Sequence, residues 1–128
     1  MRTVLAIALG LGSASAATAN VAYIGQGGRT CAELQLAAQQ GDLPFRISFG
    51  QWAMGFWSGQ NATSVITSDL YRDLSEIETE LEAFDLVNAA CDGHPTDFAQ
   101  FAALKVYLSH PTSRYSEDFS NNGKDLGN

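Results

Sequence analysis

The sequence predicts a small all-α domain of about four helices, held by one disulfide and preceded by a cleaved signal peptide. Three observations support this class. The 128 residues suffice for one modest domain, apolar residues recur at helical spacing, and the two cysteines form an even pair behind an export signal. We expect a signal peptide over 1–19, a helical domain over 20–110 and a disordered polar tail over 111–128.

The N-terminal segment has the order of residues found in secretory signal peptides. A positive charge at Arg2 precedes an apolar run over 4–11, and two A-x-A sites then end at Ala16 and Ala19. The apolar run is far shorter than the ~20 residues of a membrane span, and no later run reaches that length. We therefore expect cleavage after Ala19 or Ala16, and a periplasmic or secreted protein without a membrane span.

The cysteines are Cys31 and Cys91, and both follow the export signal. An oxidising compartment and an even count favour one disulfide between them. The rival interpretations are a free thiol nucleophile and a metal site. Only His94 and His110 could add imidazole ligands, and neither forms a ligand motif with a cysteine. We therefore predict a Cys31–Cys91 disulfide and no metal.

The first helix is predicted from its start and stop signals. Thr30 and Glu33 have the T-x-x-E spacing of a capping box, with Thr30 as the N-cap. Gly41 is a typical residue for the end of such a helix.

The second helix is predicted from about Pro44 to Gly59, with Pro44 in the first turn. Its large rings are spaced +4, +3, +4, which places them on one face: Phe45, Phe49, Trp52 and Phe56. We expect Trp52 and Phe56 to lie mainly in the core at neutral pH. Trp57, turned by about 100° from Phe56, should lie toward the edge of the buried face. These three residues, Trp52, Phe56 and Trp57, are the candidate binding residues.

The third helical region is predicted over 68–90, after a loop at 61–67. A second capping box, Ser75 to Glu78, indicates a break in it. Half of the 14 acids lie between Asp69 and Asp85, where Arg72 is the one base. A solvated helix face is the first interpretation of this segment, and a binding face is the second.

The fourth helix is expected to begin at Thr96 as N-cap and to end at His110, because Pro111 cannot continue it.

The charge and the motifs exclude several functions. The formal net charge of −7 argues against nucleic acid as a partner. The chain has no nucleophile elbow, phosphate loop or zinc-protease motif. His94 lies near two aspartates, but its neighbours indicate neither a nucleophile nor a metal. We therefore predict a protein that is not an enzyme and takes no cofactor.

Two short motifs carry a family resemblance. The T-C-x-E-L helix start at 30–34 and the V-N-A-A-C segment at 87–91 resemble the HdeA/HdeB family of periplasmic acid-stress chaperones. The resemblance implies a helical fold in which one disulfide joins the first and third helical regions. Residues 52–61 are similar to a W-x-x-G-[FY]-x-x-G-x-N pattern of small exported proteins. These are related in architecture to Tai-type immunity proteins, which block type VI amidase effectors.

Two hypotheses follow for an exported, non-catalytic binding protein. In the first, acid protonates the carboxylates and histidines, the remaining charges repel one another, and the loosened core exposes aromatic residues to unfolded clients. In the second, a preformed surface binds and blocks an exported toxin. Either hypothesis is compatible with a homodimer.

Overall fold

The computed structural model describes residues 25–119. The predicted signal peptide at 1–19 and the end of the predicted tail, 120–128, lie outside this range. A short 3₁₀ turn, Gly25–Gly28, precedes the helices and strands, which follow in the order α1 Cys31–Gln40, α2 Leu43–Ser68, β1 Leu70–Arg72, α3 Glu80–Ala90, α4 Ala99–Ser109, β2 Thr112–Arg114 and α5 Tyr115–Phe119. The predicted all-α class is confirmed, with the addition of one small sheet.

The first helix begins and ends as predicted. The hydroxyl of Thr30 accepts a hydrogen bond from the amide of Glu33 at 3.3 Å, and the Glu33 carboxylate accepts from the amide of Thr30 at 2.7 Å. Gly41 ends the helix with a φ of 62°, a left-handed conformation that glycine adopts without steric cost.

The second helix is longer than predicted. It starts with Asp42 as N-cap and continues to Ser68, so the loop predicted over 61–67 is wrong. Although this segment is polar, it contains no proline or glycine that would break a helix. The hydroxyls of Thr67 and Ser68 donate to carbonyls one turn back, at 2.9 and 2.8 Å.

The region predicted as the third helix splits into a strand, a loop and a helix. α3 begins at Thr79, which forms a reciprocal capping box with Glu82, and not at Ser75. β1 pairs with β2 in an antiparallel two-stranded sheet, with Tyr71 opposite Ser113. Residues 112–119, which belong to the predicted disordered tail, form β2 and α5 in the structure.

The last long helix ends as predicted but begins later. Phe98 is its N-cap in place of Thr96, and Thr30 pairs with Phe98 in an isolated antiparallel bridge. His110 is the C-cap, directly before Pro111.

The core lies where α2 crosses α3 and α4, and α1 is joined to it by the cysteines. Its largest fully buried side chains are Trp57, Phe49, Phe84, Leu34 and Val87. Within residues 25–119, no helix has the length and apolar character needed to cross a membrane.

Candidate functional site

The two cysteines form the predicted disulfide. The sulfurs of Cys31 and Cys91 are 2.07 Å apart, and both residues are fully buried. The bond joins the first turn of α1 to the C-cap of α3. Because both sulfurs are bonded and buried, the cysteines contribute to stability and offer no exposed thiol for chemistry.

Trp57 does not lie at the edge of the buried face, so its predicted placement is wrong. It is only 1% exposed. Its indole Nε1 donates a hydrogen bond to the carbonyl oxygen of Ala103 at 2.8 Å. Trp57 therefore connects α2 to α4 inside the core, and a binding partner cannot reach it in this conformation.

Trp52 and Phe56 are only partly buried, although they were predicted as core residues. Their rings stack with centroids 5.3 Å apart and an interplanar angle of 13°. Trp52 also packs against Phe49 at 5.3 Å. Its outer edge covers Gly27, where an added Cβ would lie 2.6 Å from Trp52 Cζ2. The pair Trp52 and Phe56 is therefore the part of the predicted binding residues that solvent can reach.

Small residues explain why the buried face of α2 differs from the predicted one. An added Cβ on Gly50 would lie 1.9 Å from the backbone oxygen of Glu80. The start of α3 thus rests directly on the backbone of α2, and the line of deepest burial follows Phe49, Gly50, Ala53 and Trp57. The prediction followed the large rings, but the neighbouring helix packs closest where side chains are smallest.

Asn61 is a structural residue that the sequence analysis placed in a loop. Its Nδ2 donates to the carbonyl of Arg72 at 2.9 Å, and its Oδ1 accepts from the amide of Arg72 at 2.7 Å. The hydroxyl of Tyr107 donates to the same Oδ1 at 2.9 Å. One amide side chain therefore joins α2, β1 and α4. Its sequence neighbours are mostly polar too, so nothing in the sequence sets Asn61 apart as a structural residue.

Two of the open grooves on the described surface expose apolar side chains. The first lies beside α3, has a volume of about 410 Å³, and is lined by apolar residues, three carboxylates and one imidazole: Glu76, Ile77, Glu82, Asp85, Leu86, Ala89 and His110. The second has a volume of about 460 Å³ and lies between the end of α2 and α5, lined by Asn61, Ala62, Val65, Ile66, Tyr71, Tyr115 and Phe119. Ile66 is 85% exposed there. Both grooves are open to solvent rather than enclosed.

Several carboxylates accept hydrogen bonds that favour their charged form. The amide of Thr30 holds the pKa of Glu33 below its ordinary value of 4.5, and Arg29 lowers it further, while burial acts in the opposite direction. Ser75 lowers the pKa of Asp73 through its hydroxyl and its amide. Asp118 accepts a hydrogen bond from Tyr71 and thereby raises the pKa of that phenol above 10.0.

The histidines do not assemble a catalytic group. His94 Nδ1 lies 3.6 Å from a carboxylate oxygen of Asp97, and both side chains are about half exposed. His110 Nδ1 lies 2.9 Å from the carbonyl oxygen of Val106. Among residues 25–119, no group of three or more His, Cys, Asp or Glu side chains is placed to hold a metal ion.

Comparison with family models, curated proteins and solved structures returned no match.

Proposed function

We propose that this chain is a non-catalytic, exported binding protein that acts as an acid-responsive chaperone for unfolded clients. The observation that carries the proposal is the use of carboxylates as hydrogen-bond acceptors at the starts of α1, α2 and α3 and at the attachment of the C-terminal segment. Acid converts each of these acceptors to a neutral group with weaker bonds.

The starts of three helices depend on such acceptors. Glu33 accepts from the amide of Thr30, Asp42 from the amide of Phe45 at 3.2 Å, and Glu82 from the amides of Glu78 and Thr79 at 2.8 and 3.0 Å. These bonds satisfy amides that have no partner inside a helix, and a charged acceptor there also complements the helix dipole. A carboxylate acceptor therefore supports the start of each of α1, α2 and α3.

The C-terminal segment is attached in the same way. Asp69 accepts hydrogen bonds from the amide of Ser116 at 3.0 Å and from the Ser116 hydroxyl. Asp118 accepts from the hydroxyl of Tyr71 at 2.8 Å. The segment is also held by the pairing of β2 with β1, by a bond from the amide of Tyr115 to the carbonyl of Asp69, and by contacts of the Phe119 ring with Tyr115 and Tyr71. Weaker acceptors in acid would loosen this attachment while the strand pairing stays in place.

The apolar surface that clients would contact already lies close to solvent. The stacked rings of Trp52 and Phe56 are partly exposed at neutral pH, and modest loosening of α2 would extend this surface toward Phe49. The disulfide keeps α1 attached to α3, so acid would loosen the domain without separating these helices.

The proposal is tested by mixing the purified protein with an acid-unfolded globular enzyme at about pH 3 and following aggregation by light scattering. We expect suppression at acid pH that is absent at pH 7, together with increased binding of an apolar dye. A Trp52→Ser, Phe56→Ser double variant should suppress aggregation less. Full suppression by this variant, or dye binding that does not rise in acid, would contradict the proposal.

A second candidate function, an immunity-type protein, is favoured by the preformed groove beside α3, which needs no acid to open. This function requires a stoichiometric complex with an exported toxin at neutral pH. Size-exclusion chromatography with a purified amidase effector tests it directly.

A further inference from the structure

The groove beside α3 has an apolar floor that the described part of the chain leaves uncovered. Ile77, Leu86 and Ala89 form this floor. Leu86 points outward from α3 and is 39% exposed, whereas its neighbour Val87 is fully buried in the core. An exposed apolar surface at the bottom of a groove favours contact with apolar side chains of another molecule.

Carboxylates surround this floor. Glu76, Glu82 and Asp85 line the same groove. Arg46 is the base that meets one of them, with its Nη2 3.3 Å from Asp85 Oδ1. The Arg46 guanidinium also lies over the ring of Phe84, 5.4 Å from its centroid, and so is held against α3. Within residues 25–119, Arg46 forms an ion pair with Asp85 alone among these three carboxylates, and His110 contributes an imidazole to the charge balance of the same groove.

The single base of the acid-rich stretch does not neutralise the groove. Nη1 of Arg72 donates to the backbone carbonyls of Leu108 and His110, at 3.1 and 2.7 Å. Its guanidinium also lies over the ring of Tyr107. Arg72 thus fastens β1 to the end of α4, and the excess of negative charge remains beside the apolar floor.

We propose that this groove binds a cationic amphipathic segment of a partner protein. Apolar side chains of the segment would lie on Ile77 and Leu86, and its lysines or arginines would reach Glu76 and Glu82. Apolar contact supplies affinity at the centre of such an interface, and charge complementarity at its rim supplies specificity and a fast association rate. A nucleic acid or an acidic segment would be repelled by the same carboxylates.

The inference is independent of the acid-responsive chaperone, because it concerns the folded protein at neutral pH. The probe is a labelled synthetic peptide of about 18 residues, with leucines on one helical face and lysines on the other. Two control peptides carry glutamate in place of lysine, or serine in place of leucine. We expect saturable 1:1 binding of the leucine–lysine peptide alone, weakening as salt rises from about 50 to about 200 mM.

Variants test whether binding occurs in this groove. Glu76→Lys and Leu86→Ser should each weaken binding by roughly threefold to tenfold, since each removes one of the two contributions. Glu78→Lys is the matched control: it changes the net charge equally, two residues away, on an exposed side chain that does not line the groove. It should change the Kd less than about twofold. Glu76→Gln, which should retain the fold, is expected to show a smaller loss in the same direction.

Two results would overturn the inference. One is equal weakening by Glu76→Lys and Glu78→Lys, which would assign binding to net charge alone. The other concerns protein that circular dichroism shows to be folded: the inference fails if this protein binds none of the three peptides, or if it binds all three. Either result leaves the acid-dependent suppression of aggregation unaffected.

Discussion

Trp57 and Ala103 are joined by a hydrogen bond from the indole Nε1 to the backbone carbonyl, 2.8 Å long and buried between α2 and α4. The indole thus fills the core with its rings and satisfies its own polar group at the same time. Phe49 and Phe84 pack edge to face nearby in the same core, with centroids 6.0 Å apart. The stability of the domain therefore depends on Trp57 more than on the other tryptophan.

Replacing each tryptophan by alanine should separate these two roles. Trp57→Ala should destabilise the domain by roughly 3–5 kcal/mol, the usual cost of removing a large buried aromatic side chain. Trp52→Ala should cost distinctly less, because Trp52 is only partly buried. Urea unfolding monitored by circular dichroism measures both changes. Equal destabilisation would show that the burial of the two rings does not differ in solution.

Gly50→Ala should destabilise the domain strongly. The new Cβ would collide with the backbone of Glu80, and backbone cannot move aside as a flexible side chain can. We expect the free energy of unfolding to fall by about 1–3 kcal/mol or more. Gly55→Ala is the matched control in the same helix, where an added Cβ meets nothing within 4 Å.

The control substitution should have the opposite sign. Alanine is preferred over glycine inside a helix by about 1 kcal/mol, so Gly55→Ala should raise the thermal midpoint. If both variants are stabilised, α3 does not approach α2 as closely as the structure has it.

Asn61→Ala should destabilise the domain by roughly 1–3 kcal/mol, because it leaves the partly buried amide and carbonyl of Arg72 without their partner. Asn61→Asp keeps the acceptor oxygens but removes the donor, and should be destabilising as well. Thr63→Ala, an exposed position on the same helix, should stay within about 0.5 kcal/mol of the parent. If Asn61→Ala is as stable as Thr63→Ala, the Asn61 amide does not have the structural role proposed for it.

Glu33 should make the stability of the domain depend on pH. Its pKa is lowered in the folded state, so its contribution is present above the unfolded value of about 4.5 and is lost as the pH falls through the folded pKa. The difference in unfolding free energy between the parent and Glu33→Gln should therefore be largest at pH 6–7 and should shrink toward pH 3.

Glu78→Gln is the control for this measurement, because it removes an exposed carboxylate that caps no helix. The difference in unfolding free energy between Glu78→Gln and the parent should change less across the same pH range. If the difference in unfolding free energy between Glu33→Gln and the parent stays constant from pH 7 to pH 3, the capping role of the ionised carboxylate is contradicted.

Local signals were sufficient to predict the ends of several helices. The capping box of Thr30, the stop at Gly41 and the end of α4 before Pro111 each depend on a few neighbouring residues. The disulfide could be predicted because only two cysteines are present.

The choice between two similar local signals could not be made from the sequence. Ser75 and Thr79 each precede a glutamate by three residues, and only Thr79 begins a helix. A start at Thr79 places Ala83, Phe84 and Val87 in the core, and that choice depends on the packing of α3 against α2.

Non-local contacts explain the other errors. β1 and β2 have three residues each and lie about forty positions apart in the chain, so neither carries a pattern that indicates its partner. Likewise, the buried face of α2 is set by the close approach of α3 at Gly50. The aromatic spacing therefore identified a helix correctly but not the side of it that is most deeply buried.

The contact between Asn61 and Arg72 has a consequence for self-association. The flanking bonds of the two-stranded sheet run from the amide of Asp73 to the carbonyl of Pro111 and from the amide of Tyr115 to the carbonyl of Asp69, so the amide and carbonyl of Arg72 face away from β2. Exposed strand edges of this kind invite a strand from another molecule to pair with them. The side chain of Asn61 already occupies both groups. Growth of the two-stranded sheet into an intermolecular one is thereby blocked at this position by a single amide from a helix.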